Sequence, residues 1–235
     1  MMTTEPITIG PHGSWDASVA AKIDHTLLRA DAQPAEIEKL CDEAKAFNFA
    51  AVCVNPWFIP LAKDRLQGSA VALCTVIGFP LGANSTDVKV FEAEKSFAAG
   101  AVELDVVLNT GALKAGDTAY VARELSALRR FVPQALYKLI LETCNLSHEE
   151  IALACQLAAD AGFEYVKTST GFGSHGATVE HVSLMRASIR ADMQVKASGG
   201  IKERSKALEL VAAGASRIGS SQSAALVRLE NPSVL

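Results

Sequence analysis

Three lysines recur at equal spacing in the second half of this sequence, and each stands inside a strand-like apolar run. Lys138 lies in Y-K-L-I-L-E-T, Lys167 in Y-V-K-T-S-T-G-F and Lys196 in V-K-A-S-G-G-I, so that 29 residues separate each lysine from the next. A buried ammonium is costly unless it is paired or loses its proton. The equal spacing predicts that three consecutive structural units place an amine at the same position.

Two amines held close together suggest carbonyl chemistry. They repel each other when both are protonated, so one of them is more easily released as a neutral amine. A neutral lysine attacks a carbonyl carbon and forms a Schiff base, which withdraws electrons from the neighbouring carbon–carbon bond. If Lys167 and Lys196 occupy neighbouring strands, Lys196 keeps Lys167 neutral, and Asp105 is placed to carry protons. The residues predict an aldolase-type lyase that uses no metal and no cofactor.

A purely structural role is the alternative for these charges. They would then be satisfied ion pairs that hold the interior of the protein together. Buried ion pairs rarely improve stability over apolar packing. Three lysines in adjacent units, preceded by an aspartate, therefore favour a chemical use.

The elements that must position these residues form eight strand-then-helix cycles. The predicted strands cover residues 23–28, 50–55, 71–79, 102–109, 136–143, 165–170, 194–198 and 216–220. The predicted helices cover residues 34–49, 56–66, 86–99, 118–131, 147–161, 179–190, 203–213 and 222–229. The strands are rich in Val, Ile and Leu, as in parallel sheets covered on both faces. Eight cycles predict an α/β fold, a single (β/α)₈ TIM barrel over residues 23–235, with an open doubly wound sheet as the alternative.

Residues 1–22 form a predicted N-terminal extension. Within it, Ser14 is the expected cap of a short helix that runs to Lys22. The first residues lack the charged and apolar regions of a signal peptide. No change of composition marks a second domain.

Composition narrows the possible partners and the compartment. The chain has 235 residues and a formal net charge of −4, with no basic tract, which argues against nucleic-acid binding. No run of 18 apolar residues suggests a membrane span. The five cysteines are scattered and lack C-x-x-C spacing, a pattern typical of the reducing cytoplasm.

Polar side chains lie on the predicted strands or at their carboxyl ends, where such barrels hold their active sites. They are Asp24, Cys53, Asn55, Glu103, Asp105, Asn109, Lys138, Glu142, Lys167 and Lys196. Cys53 either lines the pocket or is an inert core thiol. Two glycine-containing turns, Ser198-Gly199-Gly200 and Gly219-Ser220-Ser221, stand where barrels often bind phosphate. Arg217 either adds charge there or points outward.

One motif is a false lead. Residues 171–176 read G-F-G-S-H-G, which matches G-x-G-x-x-G. A dinucleotide fingerprint belongs at the first strand–helix turn, whereas this one follows T-S-T in the sixth unit. We therefore do not expect a nicotinamide cofactor. The five histidines show no ligand spacing for a catalytic zinc.

Seven segments together resemble the deoxyribose-phosphate aldolase family across residues 22–222. They are I-D-H-T-L-L (23–28), A-V-C-V-N-P (51–56), E-L-D-V-V-L-N (103–109), K-L-I-L-E-T (138–143), V-K-T-S-T-G-F (166–172), V-K-A-S-G-G-I (195–201) and G-A-S-R-I-G-S-S (214–221). The resemblance implies a class I aldolase that reversibly cleaves 2-deoxyribose 5-phosphate to glyceraldehyde 3-phosphate and acetaldehyde. It implies that Lys167 carries the Schiff base, that Asp105 and Lys196 transfer protons, and that Lys138 is a supporting charge.

The same resemblance implies a site for a small phosphorylated sugar and assembly into a homodimer or higher homo-oligomer. The residues implied in substrate and phosphate binding are Asp24, Cys53, Thr170, Gly171, Gly199, Gly200, Gly219, Ser220 and Ser221. The chain departs from many relatives at Lys202-Glu203, where they have Arg-Thr, and at Gln222. It also lacks a tyrosine after Tyr165, so any lid over the site differs from that of relatives with a tyrosine-bearing tail.

Two other functions are compatible with these residues. One is another Schiff-base barrel lyase that acts on a different phosphorylated aldehyde or ketose. The other is a sugar-phosphate binder without catalysis, against which the intact set of Asp105, Lys167 and Lys196 argues.

Overall fold

The computed structural model describes residues 7–10 and 13–229, and within them eight parallel strands close into a barrel. In chain order the elements are β1 (Ile7–Gly10), β2 (Gly13–Asp16), α1 (Ala17–Ala20), β3 (Ile23–Leu27), α2 (Pro34–Phe47), β4 (Ala51–Val54), α3 (Ile59–Arg65), β5 (Ala72–Ile77), α4 (Thr86–Ala99), β6 (Glu103–Val107), α5 (Thr110–Lys114), α6 (Thr118–Phe131), β7 (Leu136–Ile140), α7 (His148–Asp160), β8 (Tyr165–Lys167), α8 (Val179–Ser188), β9 (Gln194–Ser198), α9 (Arg204–Ala212), β10 (Ala215–Ser220) and α10 (Ser223–Val227). The barrel runs from β3 to β10, and β10 pairs with β3. This confirms the predicted (β/α)₈ barrel.

The strands are buried on both faces, which explains their apolar composition. Their outward side chains, such as Val52, Leu104 and Val166, pack under the ring of helices and are fully buried. Within the described ranges, none of the helices has both the length and the apolar character needed to cross a bilayer.

Several helices begin where their sequence signals predict. α4 and α6 have the predicted bounds, and Asp117 caps α6 by accepting the backbone N–H of Tyr120. α7 follows Ser147, which forms a capping box with Glu150. The sequence analysis missed the short helix α5, which Asn109 caps by accepting the N–H of Ala112.

β8 is shorter than predicted and ends at Lys167, because the pairing with β9 changes at Thr168. The Thr168 N–H still donates to the Lys196 carbonyl at 3.0 Å, but toward Ser198 the Thr168 side chain takes the place of its backbone. The hydroxyl of Thr168 accepts the Ser198 N–H at 3.0 Å and donates to the Ser198 carbonyl at 3.1 Å. Residues 168–170, predicted as strand, are therefore loop. Lys167 stands at the carboxyl edge of the barrel as a result.

The segment before the barrel contains the predicted short helix, but its cap is different. Asp16, not Ser14, caps α1 by accepting the backbone N–H groups of Ser18 and Val19, while Ser14 lies in β2. This segment contacts the barrel units, since Trp15 packs edge-on against Phe47. The boundary between an extension at 1–22 and a barrel domain at 23–235 remains a prediction.

The three lysines do not share one position. Lys167 is the register partner of Lys196, but Lys138 is the partner of Tyr165. Neighbouring strands of a barrel are staggered, so equal spacing along the chain is not equal height. Lys138 lies one inward-facing position lower and is level with Asp105. The predicted equivalence of the three is therefore wrong for Lys138.

A bulge in β10 decides the direction of Arg217. The register with β9 shifts between Ala215 and Arg217, so that Arg217 pairs with the inward-facing Lys196. A one-residue shift moves a side chain to the other face of a strand. Arg217 consequently points into the barrel, and neither of the two sequence-based alternatives for it is correct.

Candidate active site

Asp105 is the centre of a buried charge cluster inside the barrel. Its Oδ2 accepts hydrogen bonds from Lys167 Nζ at 2.7 Å and Lys196 Nζ at 2.8 Å, while Oδ1 accepts one from Lys138 Nζ at 2.9 Å. Burial alone would raise the pKa of this carboxyl, but the three amines outweigh it and hold the pKa of Asp105 well below its usual range. One aspartate therefore joins all three lysines that the sequence singled out.

Lys196 lies between two carboxylates. Its Nζ is 2.5 Å from Asp24 Oδ2 and 2.8 Å from Asp105 Oδ2, with no exposure to solvent. Burial opposes its charge, yet the two carboxylates raise the pKa of Lys196 above the ordinary lysine value. Asp24 is likewise desolvated, and the cations Lys196, Lys138 and Arg217 lower its pKa. Lys196 is thus held as an ammonium.

Lys138 and Arg217 connect the third carboxylate, Glu103, to the cluster. Lys138 Nζ is 2.6 Å from Glu103 Oε2, and Arg217 binds both Asp24 and Glu103. Despite the cost of burial, Asp105 and its neighbouring acids raise the pKa of Lys138 well above its usual value. The cluster contains three carboxylates and four basic side chains, so it is electrically neutral when one of the four is uncharged.

A cavity of about 450 Å³ opens above this cluster, at the carboxyl ends of the strands. Its wall includes Thr26, Leu27, Leu28, Arg29, Lys167, Thr170, Gly171, Phe172, Ser198, Gly199, Gly200, Ile201, Lys202, Gly219, Ser220 and Ser221. Of the charge cluster, only Lys167 belongs to that wall. Lys138, Lys196 and Asp105 are completely buried beneath it.

The two predicted phosphate turns lie side by side in the cavity wall, because they follow the neighbouring strands β9 and β10. Gly199 and Gly200 have φ values of 89° and 72°, a conformation that favours glycine. Gly219 leaves room for the cluster below, because a Cβ there would lie 3.2 Å from Lys196 Cε. The structure thus brings Thr170, Gly171 and both turns together, as the sequence predicts.

Two basic residues that line the cavity, Arg29 and Lys202, are not among the predicted site residues. Arg29 follows directly after β3, and Lys202 follows the Gly199-Gly200 turn. The sequence signal was available, since both are basic residues just beyond the carboxyl end of a strand. Lys202 is exposed and can attract an anionic substrate into the cavity, whereas the Arg29 guanidinium is bonded to Asp31 and Glu36.

Asp24 and Cys53 do not line the cavity, and their contact with substrate stays a prediction. Asp24 is fully buried among the cations of the cluster. Cys53 packs inside the barrel with Ala51, Cys74 and Val76, which supports the inert-core interpretation. The Cys53 and Cys74 sulfurs and an Asp105 oxygen lie within 4.8 Å of one another. Since both oxygens of Asp105 already accept lysine hydrogen bonds, this group has no free carboxylate to offer a metal.

Two glycines of the G-x-G-x-x-G stretch, Gly173 and Gly176, have packing roles, while Gly171 has a positive φ. A Cβ on Gly176 would collide with the Gly199 carbonyl, and a Cβ on Gly173 would lie 2.8 Å from Cys144 Sγ. These glycines permit the loop after β8 to lie against the neighbouring units. The motif is therefore explained without a dinucleotide.

Comparison with known proteins agrees with this geometry. A sequence model described as DeoC/LacD family aldolase matches residues 18–222. A deoxyribose-phosphate aldolase of Carboxydothermus hydrogenoformans is 50% identical over 214 residues, which cover 89% of this chain and 94% of that protein.

Solved structures show the same similarity. A Coccidioides immitis protein, provisionally assigned as a deoxyribose-phosphate aldolase, has a TM-score of 0.86 and 40% identity, covering 94% of this chain and 88% of that one. The tetrameric deoxyribose phosphate aldolase of Aeropyrum pernix has a TM-score of 0.81 and 33% identity, covering 89% of each chain. The match extends over the barrel and over every strand that supplies the charge cluster. The chain therefore belongs to the DeoC/LacD family of aldolases.

Proposed function

We propose that this chain is a class I deoxyribose-phosphate aldolase in which Lys167 forms the Schiff base. The observation that carries the proposal is that Lys167 is the one amine of the cluster that lines the cavity, while Asp105, Lys138 and Lys196 are completely buried. A carbonyl compound in the cavity meets this amine first. The relatives named deoxyribose-phosphate aldolase support the choice of substrate.

The charge balance of the cluster supports a nucleophilic amine. Lys138, Lys196 and Arg217 each contact at least two carboxylates, whereas Lys167 contacts only Asp105. With Lys167 neutral, three cations balance Asp24, Glu103 and Asp105.

The proposed reaction has three stages: formation of the Schiff base, cleavage of the carbon–carbon bond and hydrolysis of the remaining adduct. The Lys167 nitrogen adds to C1 of 2-deoxyribose 5-phosphate, and water leaves to give an iminium. Loss of the C3 hydroxyl proton breaks the C2–C3 bond and releases glyceraldehyde 3-phosphate, with the bonding electrons drawn into the iminium. The resulting enamine takes up a proton at C2, and water then releases acetaldehyde and restores Lys167. Asp105 and Lys196 carry these protons, since Asp105 bonds to Lys167 and the Lys196 amine bonds to the same Asp105 oxygen.

The phosphate end of the substrate fits the glycine-containing turns of the cavity wall. The turns at Gly199-Gly200 and Gly219–Ser221 supply small residues whose backbone can approach an anion closely. Lys202 supplies positive charge at the rim. A sugar phosphate can therefore place its carbonyl on Lys167 while its phosphate reaches these turns.

Assay and trapping together test the proposal. We expect cleavage of deoxyribose 5-phosphate, and borohydride in the presence of substrate should attach a reduced adduct to Lys167, located by peptide mass spectrometry. Lys167→Ala should lose both adduct and turnover. Lys114→Ala is the matched control, since Lys114 is an exposed lysine that pairs with Glu150 outside the barrel. Unchanged turnover in Lys167→Ala, or cleavage of ribose 5-phosphate and fructose bisphosphate alone, would refute the proposal.

We also propose that the chain forms a homo-oligomer. Large apolar side chains are exposed on adjacent units: Trp57 and Leu81 are each 76% exposed, and Phe91 on α4 is 60% exposed. Contiguous exposed apolar surface is typical of interfaces, and the Aeropyrum pernix relative is a tetramer. Light scattering coupled to size exclusion should give a multiple of the 24.8 kDa chain mass. A monomer at micromolar concentration would contradict this.

We further propose that the protein works in a reducing compartment, the cytoplasm. All five cysteines are free thiols, and four of them are buried. Fractionation of cells that express the chain should recover activity with the cytoplasmic proteins. Recovery with secreted proteins would contradict the proposal.

A further inference from the structure

Glu142 adopts a backbone conformation that is costly for its residue type. It follows β7 with φ 54° and ψ 63°, in the left-handed region. Among the described residues, the other non-glycine residue with positive φ is Asn48, which ends α2 and is of a type that tolerates this region. A glutamate there costs about 1 kcal/mol or more, and such strain is a reason to look for function.

The strained backbone places the carboxylate of Glu142 under the loop that follows Lys167. Oε2 accepts the hydroxyl hydrogen of Thr170 in a very short bond, and Oε1 accepts the Thr170 backbone N–H at 3.4 Å. Both groups of Thr170 are therefore bound by one side chain. The carboxylate is almost completely buried, so these bonds replace its contact with water.

The bonds to Thr170 continue into the cavity wall. The Thr170 hydroxyl accepts the backbone N–H of Phe172 at 3.0 Å, which closes the turn of residues 170–172. The ring of Phe172 then meets Phe79 edge-on at 5.3 Å. Gly173 lies against Glu142 itself, since a Cβ there would be 3.0 Å from Glu142 Cδ. The turn is thus wrapped around this carboxylate.

We propose that Glu142 is a positioning residue that shapes the turn of residues 170–172 to receive the phosphate-bearing end of the substrate. The inference rests on the proposed function. Thr170, Gly171 and Phe172 all line the cavity, together with the two phosphate turns. Glu142 itself does not line the cavity and acts only through Thr170.

A stabilising role alone explains these observations less well. Glycine would adopt the same backbone without strain, and burial of a carboxylate seldom improves stability over apolar packing. What a glycine cannot do is hold the Thr170 hydroxyl and N–H together. The strained backbone of Glu142 is therefore better explained by the geometry that its side chain gives to the turn of residues 170–172.

Glu142→Gly separates these roles, because it relieves the backbone strain and removes the side chain that holds Thr170. We expect KM for deoxyribose 5-phosphate to rise about tenfold or more, the loss typical of hydrogen bonds to a charged group. Turnover of 2-deoxyribose without phosphate, and borohydride trapping of acetaldehyde on Lys167, should change less than twofold. Glu142→Gln keeps one acceptor for the two donors of Thr170 and should fall between wild type and Glu142→Gly.

Asn48→Gly is the matched control, since it relieves left-handed backbone strain at the end of α2, away from the cavity. Its KM should equal that of the wild type. An unchanged KM in Glu142→Gly, or equal losses on the phosphorylated and unphosphorylated sugars, would overturn the inference. If the wild type does not cleave deoxyribose 5-phosphate, the proposed function fails instead. Calorimetric titration with inorganic phosphate then decides, with weaker binding expected in Glu142→Gly only and equal binding counting against the inference.

Discussion

Lys167 and Lys196 are register partners on neighbouring strands, and both amines bond to the same oxygen, Asp105 Oδ2, at 2.7 and 2.8 Å. This relationship makes one aspartate the link between an amine that faces the cavity and one that is sealed below it. A proton that moves between the substrate and the cluster has a short path through that oxygen.

Asp105→Asn should lower kcat by 10²-fold or more. Asparagine keeps the shape of the side chain but removes the charge and one acceptor, and proton transfer by a positioned side chain is worth about 10²–10⁴-fold. Steady-state cleavage of deoxyribose 5-phosphate measures the effect. Glu103→Gln is the control, because Glu103 bonds to Lys138 and Arg217 and not to Lys167. Losses of equal size in both variants would contradict the special role of Asp105.

Stability should depend on Asp24 in a pH-dependent manner. Its pKa is lowered in the folded chain, so its contribution is fully present above the unfolded value of about 3.9 and is lost as the pH falls toward the folded value. Urea unfolding should show a large deficit for Asp24→Asn at pH 7 that shrinks at pH 3. Asp192→Asn should show only a small deficit at either pH, because its bond to Arg190 is exposed. A deficit for Asp24→Asn that is constant with pH would count against this account.

The barrel and most members of the charge cluster could be predicted from the sequence. The position of each side chain along the barrel axis and the face of the strand from which it projects could not. Capping residues such as Asp117 and Ser147 act locally, so the helix starts they predict are correct. The position of Lys138 depends on the stagger between strands, and that of Arg217 on a bulge. Neither leaves a local signal. The early end of β8 depends on a bond from Thr168 to Ser198, thirty residues away.

The buried pair of Lys89 and Glu124 should be important for stability. Their charged atoms are 2.6 Å apart with no exposure, and Lys89 also donates to the Val107 carbonyl at 2.9 Å. Lys89→Met should lower the free energy of unfolding by about 3–5 kcal/mol, because it leaves Glu124 buried without its cation. Urea unfolding measures this, and adding Glu124→Gln should recover part of the loss. Lys206→Met, at an exposed pair, should cost less than about 1 kcal/mol, and a similar cost for Lys89→Met would contradict the prediction.

Gly176→Ala should weaken substrate binding more than Gly116→Ala. The added methyl group at residue 176 would be forced into the Gly199 carbonyl and so would displace a phosphate turn, whereas at Gly116 it meets no atom within 4 Å. Gly116 has a positive φ, so Gly116→Ala strains the backbone but brings the new methyl group into contact with no other residue. We expect KM to rise several-fold for Gly176→Ala only, measured by steady-state kinetics. Equal KM values in the two variants would show that close approach at Gly176 does not matter.

The early end of β8 has a consequence for engineering. Lys167 is the last residue of its strand, so the reactive nitrogen belongs to the rigid barrel while the wall above it is built from loops. Directed evolution of Arg29, Phe172 and Lys202 should therefore alter which aldehydes are accepted without rebuilding the chemistry. The residue proposed to react therefore lies on a strand, whereas the residues that determine the substrate range lie on loops, and Lys167 contacts both regions.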